Sequence, residues 1–287
     1  MQILLCTPHL ILAPLDDGWE IQNKQNRSRL GWLRIDQDSR LTRGQVEPED
    51  PELLHEAAVV VGAQREQRVD PDSPLGRSLQ EAFLNGDSGS ENALQDICRQ
   101  VVQSWQGRYA DRVTATHRQL GLPEDYAEQY QLPMVQEALE LSPIGQDVFE
   151  RPQFMAPFAA RAWRRMSRSA MADGVSMFPV SAFRSLEYQA SLVQKKVERG
   201  LDIDEILKSS AAPGYSEHHS GCAIDIDAGK GKPLEEDFEE TDAFAWLTEH
   251  ALEFGFRMSF PRDNPHGIAY EPWHWAYTPE IWMLNLS

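Results

Sequence analysis

Apolar residues recur with two different periods along the chain, and each period predicts a different kind of element. Short apolar runs separated by turn residues predict strands within residues 1–35. Apolar positions spaced by three and four predict helices at residues 91–106, 154–172, 185–198 and 244–254. A glycine follows shortly after each of the last three segments, as is typical of helix ends.

Strands predicted in the second half of the chain lie between these helices. They are residues 177–183, 222–227, 256–260 and 273–277. A last helix is predicted to begin after Thr278, with Pro279 in its first position. Because helices and strands mix without a regular alternation, the predicted fold class is α+β. The apolar segment at residues 53–61 fits either a helix or a strand.

Two prolines in polar surroundings suggest where the chain divides. Pro123 and Pro133 lie among acidic and polar residues, which favours a linker or a helix boundary. We therefore expect an N-terminal region at residues 1–140 and a second domain at residues 141–287. Nothing in the sequence of the N-terminal region predicts its role.

Charge narrows the range of partners. The 287 residues include 45 acidic and 27 basic side chains, which gives a net charge of −18. A protein of that charge repels phosphate backbones and anionic lipid surfaces, so we expect neither a nucleic-acid nor a membrane partner. The three cysteines are far apart in the sequence and predict neither a disulfide framework nor a cysteine metal site. The sequence makes no prediction about oligomeric state.

The N-terminal segment is apolar but does not resemble an export signal. It lacks a basic beginning and is interrupted by Pro8 and Pro14. No apolar run reaches the roughly 18 residues that a membrane span needs. The sequence therefore predicts a cytoplasmic protein.

The predicted strand at residues 222–227 carries two carboxylates on one face. Alternation places Asp225 and Asp227 opposite the apolar residues of the strand. Buried carboxylates need a partner or a metal, and His218 arrives from the preceding loop. The alternative is that the aspartates accept hydrogen bonds in a turn and that the histidines lie at the surface. His219 is the rival ligand to His218.

A second segment combines a glutamate and a histidine in an aromatic run. Pro272 lies between Glu271 and His274 and excludes an ordinary helix, so we expect a bend leading into a strand. His274 would then bind a metal, with Glu271 beside the open coordination position as general base. A buried aromatic strand with a core histidine is the alternative.

A third segment places an arginine at a strand-to-helix junction. Arg184 follows the predicted strand at residues 177–183. A guanidinium at such a junction can bind a carboxylate or stabilise an oxyanion. A salt bridge on the helix surface is the alternative.

Together the three segments resemble the VanY-type D-alanyl-D-alanine carboxypeptidases, which are zinc peptidases that act on peptidoglycan stem peptides. The zinc motif of that family, S-x-H-x-x-G-x-A-x-D, is matched from Ser216 to Asp225, and its E-x-W-H-[WF] motif from Glu271 to Trp275. Its Y-R-S-x-x-x-Q motif is matched at Arg184, Ser185 and Gln189, with Phe183 replacing the tyrosine. The resemblance covers roughly residues 150–285.

The resemblance implies a role for each matched residue. It implies zinc (Zn2+) ligands at His218, Asp225 and His274, and a general base at Glu271. It further implies catalytic and substrate contacts for Arg184 and substrate contacts for Gln189, with Ser216 lining the site. The fold it implies has a small central antiparallel sheet flanked by helices.

The function that follows is hydrolysis of a C-terminal D-alanine from a peptidoglycan-type stem peptide, a murein stem peptide or muropeptide. Whether the cut bond is D,D or L,D is not encoded in these motifs. Two other functions fit the same residues. An endolysin-like peptidase or a hydrolase of peptide natural products would keep the zinc site, and an inert zinc-stabilised binding module would need neither Glu271 nor Arg184.

Overall fold

The protein divides into two compact units, Met1–Tyr109 and Ala110–Ser287. The computed structural model describes residues 3–37, 40–47, 49–65, 68–83, 90–229 and 231–278. The predicted C-terminal helix from Pro279 lies outside these residues. No helix within the described ranges is both long and apolar enough to cross a membrane.

The first unit combines a meandering sheet with helices. Its strands are β1 (Leu4–Cys6), β2 (Leu10–Leu15), β3 (Gly18–Asn23), β4 (Arg29–Ile35), β5 (Arg40–Val46) and β6 (Arg68–Val69). Neighbours from β1 to β5 pair antiparallel, and β6 pairs parallel to β5. The helices are α1 (Pro51–Arg65), α2 (Pro74–Phe83) and α3 (Glu91–Gly107). The early strands and α3 confirm the sequence predictions.

The segment at residues 53–61, whose sequence fits either a helix or a strand, lies within helix α1. All residues from Ala57 to Val61 are fully buried, so the apolar side chains surround the helix instead of forming one stripe. A helix of that kind lacks the three- and four-residue spacing that distinguishes a helix from a buried strand.

The second unit combines helices with a small antiparallel sheet. Its helices are α4 (Tyr109–Leu120, which begins at the division), α5 (Tyr126–Tyr130), α6 (Pro157–Ala172), α7 (Leu186–Glu198), α8 (Ile203–Ser209) and α9 (Asp242–His250). Its strands are β7 (Glu140–Gln146), β8 (Pro152–Met155), β9 (Phe178–Ser181), β10 (Ala223–Asp227), β11 (Phe256–Met258) and β12 (His274–Tyr277). β7 and β8 form a hairpin.

The four strands β11, β12, β10 and β9 pair antiparallel in that order. Helices α6 and α9 pack on this sheet through Trp163, Met166 and Leu247, which share a core with Ile224 and Ile226 of β10. The structure therefore confirms the α+β class and the small central antiparallel sheet.

The division between the units falls earlier than the domain boundary expected at residue 140. Tyr126 and Tyr130 of α5 are buried in one cluster with Val193, Ile206 and Leu207 of the second unit. Pro123 and Pro133 therefore flank a helix that belongs to the second core, which agrees with the helix-boundary alternative and not with a linker.

Helix starts in the second unit follow local capping rules. The Ser185 hydroxyl accepts a hydrogen bond from the Tyr188 amide, so α7 begins immediately after the Arg184 junction. The Thr241 hydroxyl caps α9 in the same way, and Pro157 occupies the first turn of α6. The capping of α7 fixes where the chain leaves β9 and turns away from the sheet.

A tight 3-10 turn, Glu217–Ser220, precedes β10 and ends at Gly221. Gly221 has φ +67°, and a Cβ placed there would lie 2.7 Å from the Ala156 amide nitrogen. The Ala156 amide donates a hydrogen bond to the Gly221 carbonyl at 2.8 Å, so this backbone has little room to move away. Glycine is therefore required for two separate reasons, the positive φ and the close backbone.

We predict that Gly221→Ala destabilises the protein more than Gly174→Ala. Both glycines have positive φ, but a Cβ at Gly174 meets nothing within 4 Å. Gly174→Ala should lose about 1–2 kcal/mol from the left-handed backbone alone. Gly221→Ala should lose about 1–3 kcal/mol more from overpacking. The free energy of unfolding in urea measures both, and equal losses would contradict the close-approach argument.

Candidate metal centre

The register of the central sheet places two of the predicted ligands opposite each other. Asp225 of β10 pairs directly with His274 of β12. Side chains at paired antiparallel positions have Cβ atoms about 4.5–5.5 Å apart. The distance from His274 Nδ1 to Asp225 Oδ1 is 2.9 Å. Two residues separated by 49 positions in sequence therefore meet because of strand pairing.

The third residue, His218, lies in the 3-10 turn that precedes β10. Its Nδ1–H donates to the Ala182 carbonyl at 2.6 Å, which leaves Nε2 as the free ring nitrogen. That Nε2 lies 3.3 Å from Asp225 Oδ2. The hydrogen bond to Ala182 thus selects the tautomer in which Nε2 can bind a cation.

His274 is oriented in a complementary way. Its Nε2–H donates to Glu217 Oε2 at 2.8 Å, while Nδ1 points towards Asp225. Metal-binding histidines commonly give their second ring N–H to a carboxylate, which fixes the ring and strengthens the ligand. Glu217 provides this carboxylate to His274.

The donor set fits a divalent metal ion. One ligand atom each from His218, Asp225 and His274 lies within 4.8 Å of the others, and all three residues are buried. Ligands at zinc distances around a tetrahedron are roughly 3.3–3.6 Å apart. Two imidazoles and one carboxylate, with a coordination position left open, form a catalytic ligand set.

Burial and neighbouring charges set the protonation of these ligands. Burial, followed by the Arg184 charge, lowers the pKa of His218 to about 4. Burial opposes ionisation of Asp225, but His218 and Arg184 outweigh it and hold the pKa of that carboxyl well below its usual range. His218 is therefore neutral and Asp225 ionised at neutral pH, which are the forms that bind metal.

His274 carries a proton in this arrangement. Burial lowers its pKa, but the carboxylates of Asp225 and Glu217 outweigh burial and raise the pKa to about 10. The proton supplies a positive charge between the buried Asp225 and the partly buried Glu217 carboxylates. A divalent cation bound at Nδ1 supplies positive charge at the same place.

Glu271 lies beside the cluster at the start of a tight turn. The His274 amide donates to the Glu271 carbonyl at 3.1 Å, with Pro272 in the second position that such turns favour. Glu271 Oε2 lies 3.9 Å from His274 Nδ1. Burial raises the pKa of Glu271 to about 7. A carboxyl with that pKa suits proton transfer at neutral pH.

These residues open onto a cavity of about 530 Å³. Glu271, Ser216 and Arg184 line it together with the three candidate ligands. Arg184 donates from Nη2 to Asp225 and from Nε to the Ser181 hydroxyl at 2.8 Å. The structure therefore brings together all but one of the site residues that the sequence singled out.

Gln189 is the exception. It is buried, and its side-chain amide donates to the Ala211 carbonyl at 2.8 Å. Ala211 lines the cavity, whereas Gln189 is absent from the described residues that line it. Gln189 therefore holds a residue of the cavity lining in place. The geometry does not support a direct contact between Gln189 and a substrate.

Two further candidates have structural roles. His219 donates from Nδ1 to the Arg184 carbonyl at 2.7 Å and accepts at Nε2 from the Gly214 amide at 2.9 Å. Both its nitrogens are occupied, so His218 remains the candidate ligand and His219 joins two segments. Asp227 accepts from the Gly229 amide at 2.6 Å in a turn, which matches the alternative raised for that residue.

Glu217 is the residue that the sequence analysis missed. It occupies a variable position of the S-x-H motif, so the motif itself gave no reason to select it. The available signal was an acidic residue directly beside a candidate ligand. Its contact with His274 comes from the folding of distant segments and is not encoded in local spacing.

Comparisons with known proteins point to one family. The family described as D-alanyl-D-alanine carboxypeptidase (VanY) matches residues 152–280. A D-alanyl-D-alanine carboxypeptidase from Enterococcus faecium is 32% identical over 127 residues, which cover 43% of this chain and 37% of the relative. A bifunctional D-Ala-D-Ala dipeptidase and carboxypeptidase, VanXYC from Enterococcus gallinarum, is 30% identical over 132 residues, 43% of this chain and 67% of the relative.

One solved structure is a vancomycin resistance D,D-pentapeptidase VanY in complex with Zn(II). It is 26% identical, covers 52% of this chain and 80% of its own, and has a TM-score of 0.39. From the sequence matches, the chain belongs to the VanY-type D-alanyl-D-alanine carboxypeptidase family. The match spans well under half of the length of the E. faecium relative.

We predict that Glu217→Ala weakens binding of a divalent metal by about 10–100-fold, because His274 loses the partner that orients its ring. Glu217→Gln should retain most of the affinity, because its amide oxygen can accept the same N–H. Competition against a chromophoric chelator measures the affinity without any need for turnover. Glu205→Ala, at an exposed i,i+3 pair with Lys208, is the control and should leave it unchanged. Equal affinities in Glu217→Ala and the parent protein would contradict the orienting role.

Proposed function

We propose that the chain is a zinc-dependent carboxypeptidase that removes a C-terminal D-alanine from peptidoglycan-type stem peptides. The observation that carries this proposal is the convergence of His218, Asp225 and His274 beside Glu271, in a cavity of about 530 Å³. That volume lies in the range of pockets that hold small ligands. Membership of the family supports the D-alanine substrate.

Zinc is the metal that this donor set favours. His218 Nε2, His274 Nδ1 and one Asp225 oxygen would hold it, and imidazole and carboxylate are common zinc ligands. When bound, zinc polarises a carbonyl and lowers the pKa of water in the site. The remaining chemistry belongs to side chains of the chain itself.

Glu271 is the proposed general base and acid. Its carboxylate would take a proton from the attacking water and later deliver it to the leaving amine. Its raised pKa favours both steps, because the protonated form is accessible at neutral pH. Lys196 and Arg184 contribute positive charge near this carboxyl.

Arg184 and Ser216 are the proposed contacts to the peptide. Arg184 uses two of its donors on Ser181 and Asp225, and a guanidinium has five N–H groups. The remaining donors can stabilise the oxyanion or the terminal carboxylate. Ser216 is buried at the cavity lining, where its hydroxyl can orient the peptide backbone. Gln189 would act indirectly, by holding the Ala211 carbonyl in place.

The first test is product analysis. We expect the zinc-loaded protein to release free D-alanine from defined tetra- or pentapeptide stems, and mass spectrometry of the digest measures this directly. A carboxypeptidase shortens the stem by one residue, whereas an endopeptidase yields an internal cut without free D-alanine. Only internal cuts, or no cleavage of either stem, would contradict the proposed function.

The second test separates the base from the ligands. Glu271→Ala should keep its metal and lose nearly all turnover, because the glutamate transfers protons without holding the ion. His274→Ala should lose both, because a ligand is gone. Metal content per chain and D-alanine release give the two readouts.

His250→Ala is the matched control, since His250 pairs with Glu253 and does not line the cavity among the described residues. It should change neither readout. Equal loss of metal from Glu271→Ala and His274→Ala would contradict the division of roles.

A further inference from the structure

Helix α7 presents one continuous stripe of side chains to the cavity. Tyr188, Leu192, Lys195 and Arg199, the last of which follows directly after the helix, all line it. Their spacing of four, three and four places them on one helical face. We call these four residues the α7 stripe. Its first member, Tyr188, follows Arg184 by four residues in the sequence.

Cations outnumber carboxylates among the residues that line the cavity. The lining carboxylates are Glu217, Asp225 and Glu271, and each is either a candidate ligand or in contact with one. The lining cations are Arg151, Arg184, Lys195, Lys196 and Arg199. Five cations thus line the cavity with three carboxylates, in a chain whose net charge is −18.

Several cations outside the cavity are neutralised by a neighbouring carboxylate. Lys208 pairs with Glu205 at 2.6 Å, and Arg262 pairs with Glu239 at 2.6 Å. Lys195 and Arg199 form no ion pair with any residue in the described part of the chain. Their charges therefore remain available to a ligand in the cavity.

Basic residues are favoured near the C-terminal end of a helix. That preference does not explain why Lys195 and Arg199 line the cavity without a carboxylate partner among the residues that the structure describes. Lys208 lies in the last turn of α8, so it gains the same helix-dipole stabilisation as Lys195. Lys208 is nevertheless matched by Glu205 within its own helix. On α7, a carboxylate partner is missing among the described neighbours, and the side chains line a cavity of peptide size.

We propose that the α7 stripe binds carboxylates of the substrate upstream of the scissile bond, so that the preferred substrate is an acidic peptide with free internal carboxyl groups. This inference rests on the proposed peptidase function and specifies its substrate. Eleven residues of helix extend about 16 Å, and an extended peptide covers that length with about five residues. The stripe is therefore long enough to follow a pentapeptide beyond the metal site.

The experiment uses two pentapeptides that both end in D-alanine. They differ only at the third residue from the C-terminus, which carries a free side-chain carboxylate in one and a carboxamide in the other. At low ionic strength, kcat/KM of the zinc-loaded protein should be roughly tenfold higher for the acidic peptide, since each exposed pair contributes modestly. Added salt should reduce the ratio.

Variants that replace a lysine or arginine by glutamine test which residues cause the preference for the acidic peptide. The double variant Lys195→Gln and Arg199→Gln should bring the ratio of the two peptides close to one. Lys208→Gln removes an equivalent exposed charge outside the cavity and should leave the ratio as it is. Binding of both peptides to zinc-loaded Glu271→Ala, with and without the two stripe substitutions, is measured in parallel by calorimetry.

The binding measurement separates the two proposals. If the parent protein cleaves neither peptide but Glu271→Ala binds the acidic one more tightly through Lys195 and Arg199, the stripe is supported and the peptidase proposal fails. Equal binding of both peptides would overturn the proposed role of the α7 stripe, whichever peptide is cleaved. A preference that survives the double substitution would overturn it as well.

Discussion

The pairing of β10 with β12 is the constraint on which the site depends. Asp225 faces His274 only in the observed register, and Ile224 and Ile226 on either side are buried in the apolar core. A shift by one residue would exchange the carboxylate for an isoleucine and expose the core positions. Burial of these isoleucines therefore fixes the register of the two strands, and the register places Asp225 opposite His274. Burial of apolar side chains here serves chemistry as well as stability.

The predictions of elements succeeded where the pattern is local. Helices α3, α6 and α7 and the strands of the central sheet follow from spacing, capping residues and glycine stops. Helix α1 did not follow, because its central residues are apolar all round and carry no period. The division between the units did not follow either, because α5 joins the second core through Tyr126 and Tyr130, and such contacts cannot be read from the prolines around it.

Prediction of the site shows the same limit. The three ligand residues and Glu271 could be proposed from sequence because their motifs fix residue type and spacing, and the structure brings them together. Glu217 was not found, because its importance comes from His274, which meets it only after folding. Gln189 matched a motif, but its side chain contacts the lining residue Ala211 instead of lining the cavity itself. A motif position therefore does not reveal whether a side chain reaches the substrate.

The two hydrogen bonds of His219 affect which kind of metal centre the candidate ligands can form. An imidazole beside His218 would be a ready extra donor, and four protein donors around zinc make a closed, structural centre. Because the Arg184 carbonyl and the Gly214 amide engage both ring nitrogens, this imidazole is not available to an ion held by His218, Asp225 and His274. The backbone would thereby leave one coordination position open to solvent and reactant, although the sequence offers a second histidine beside the first.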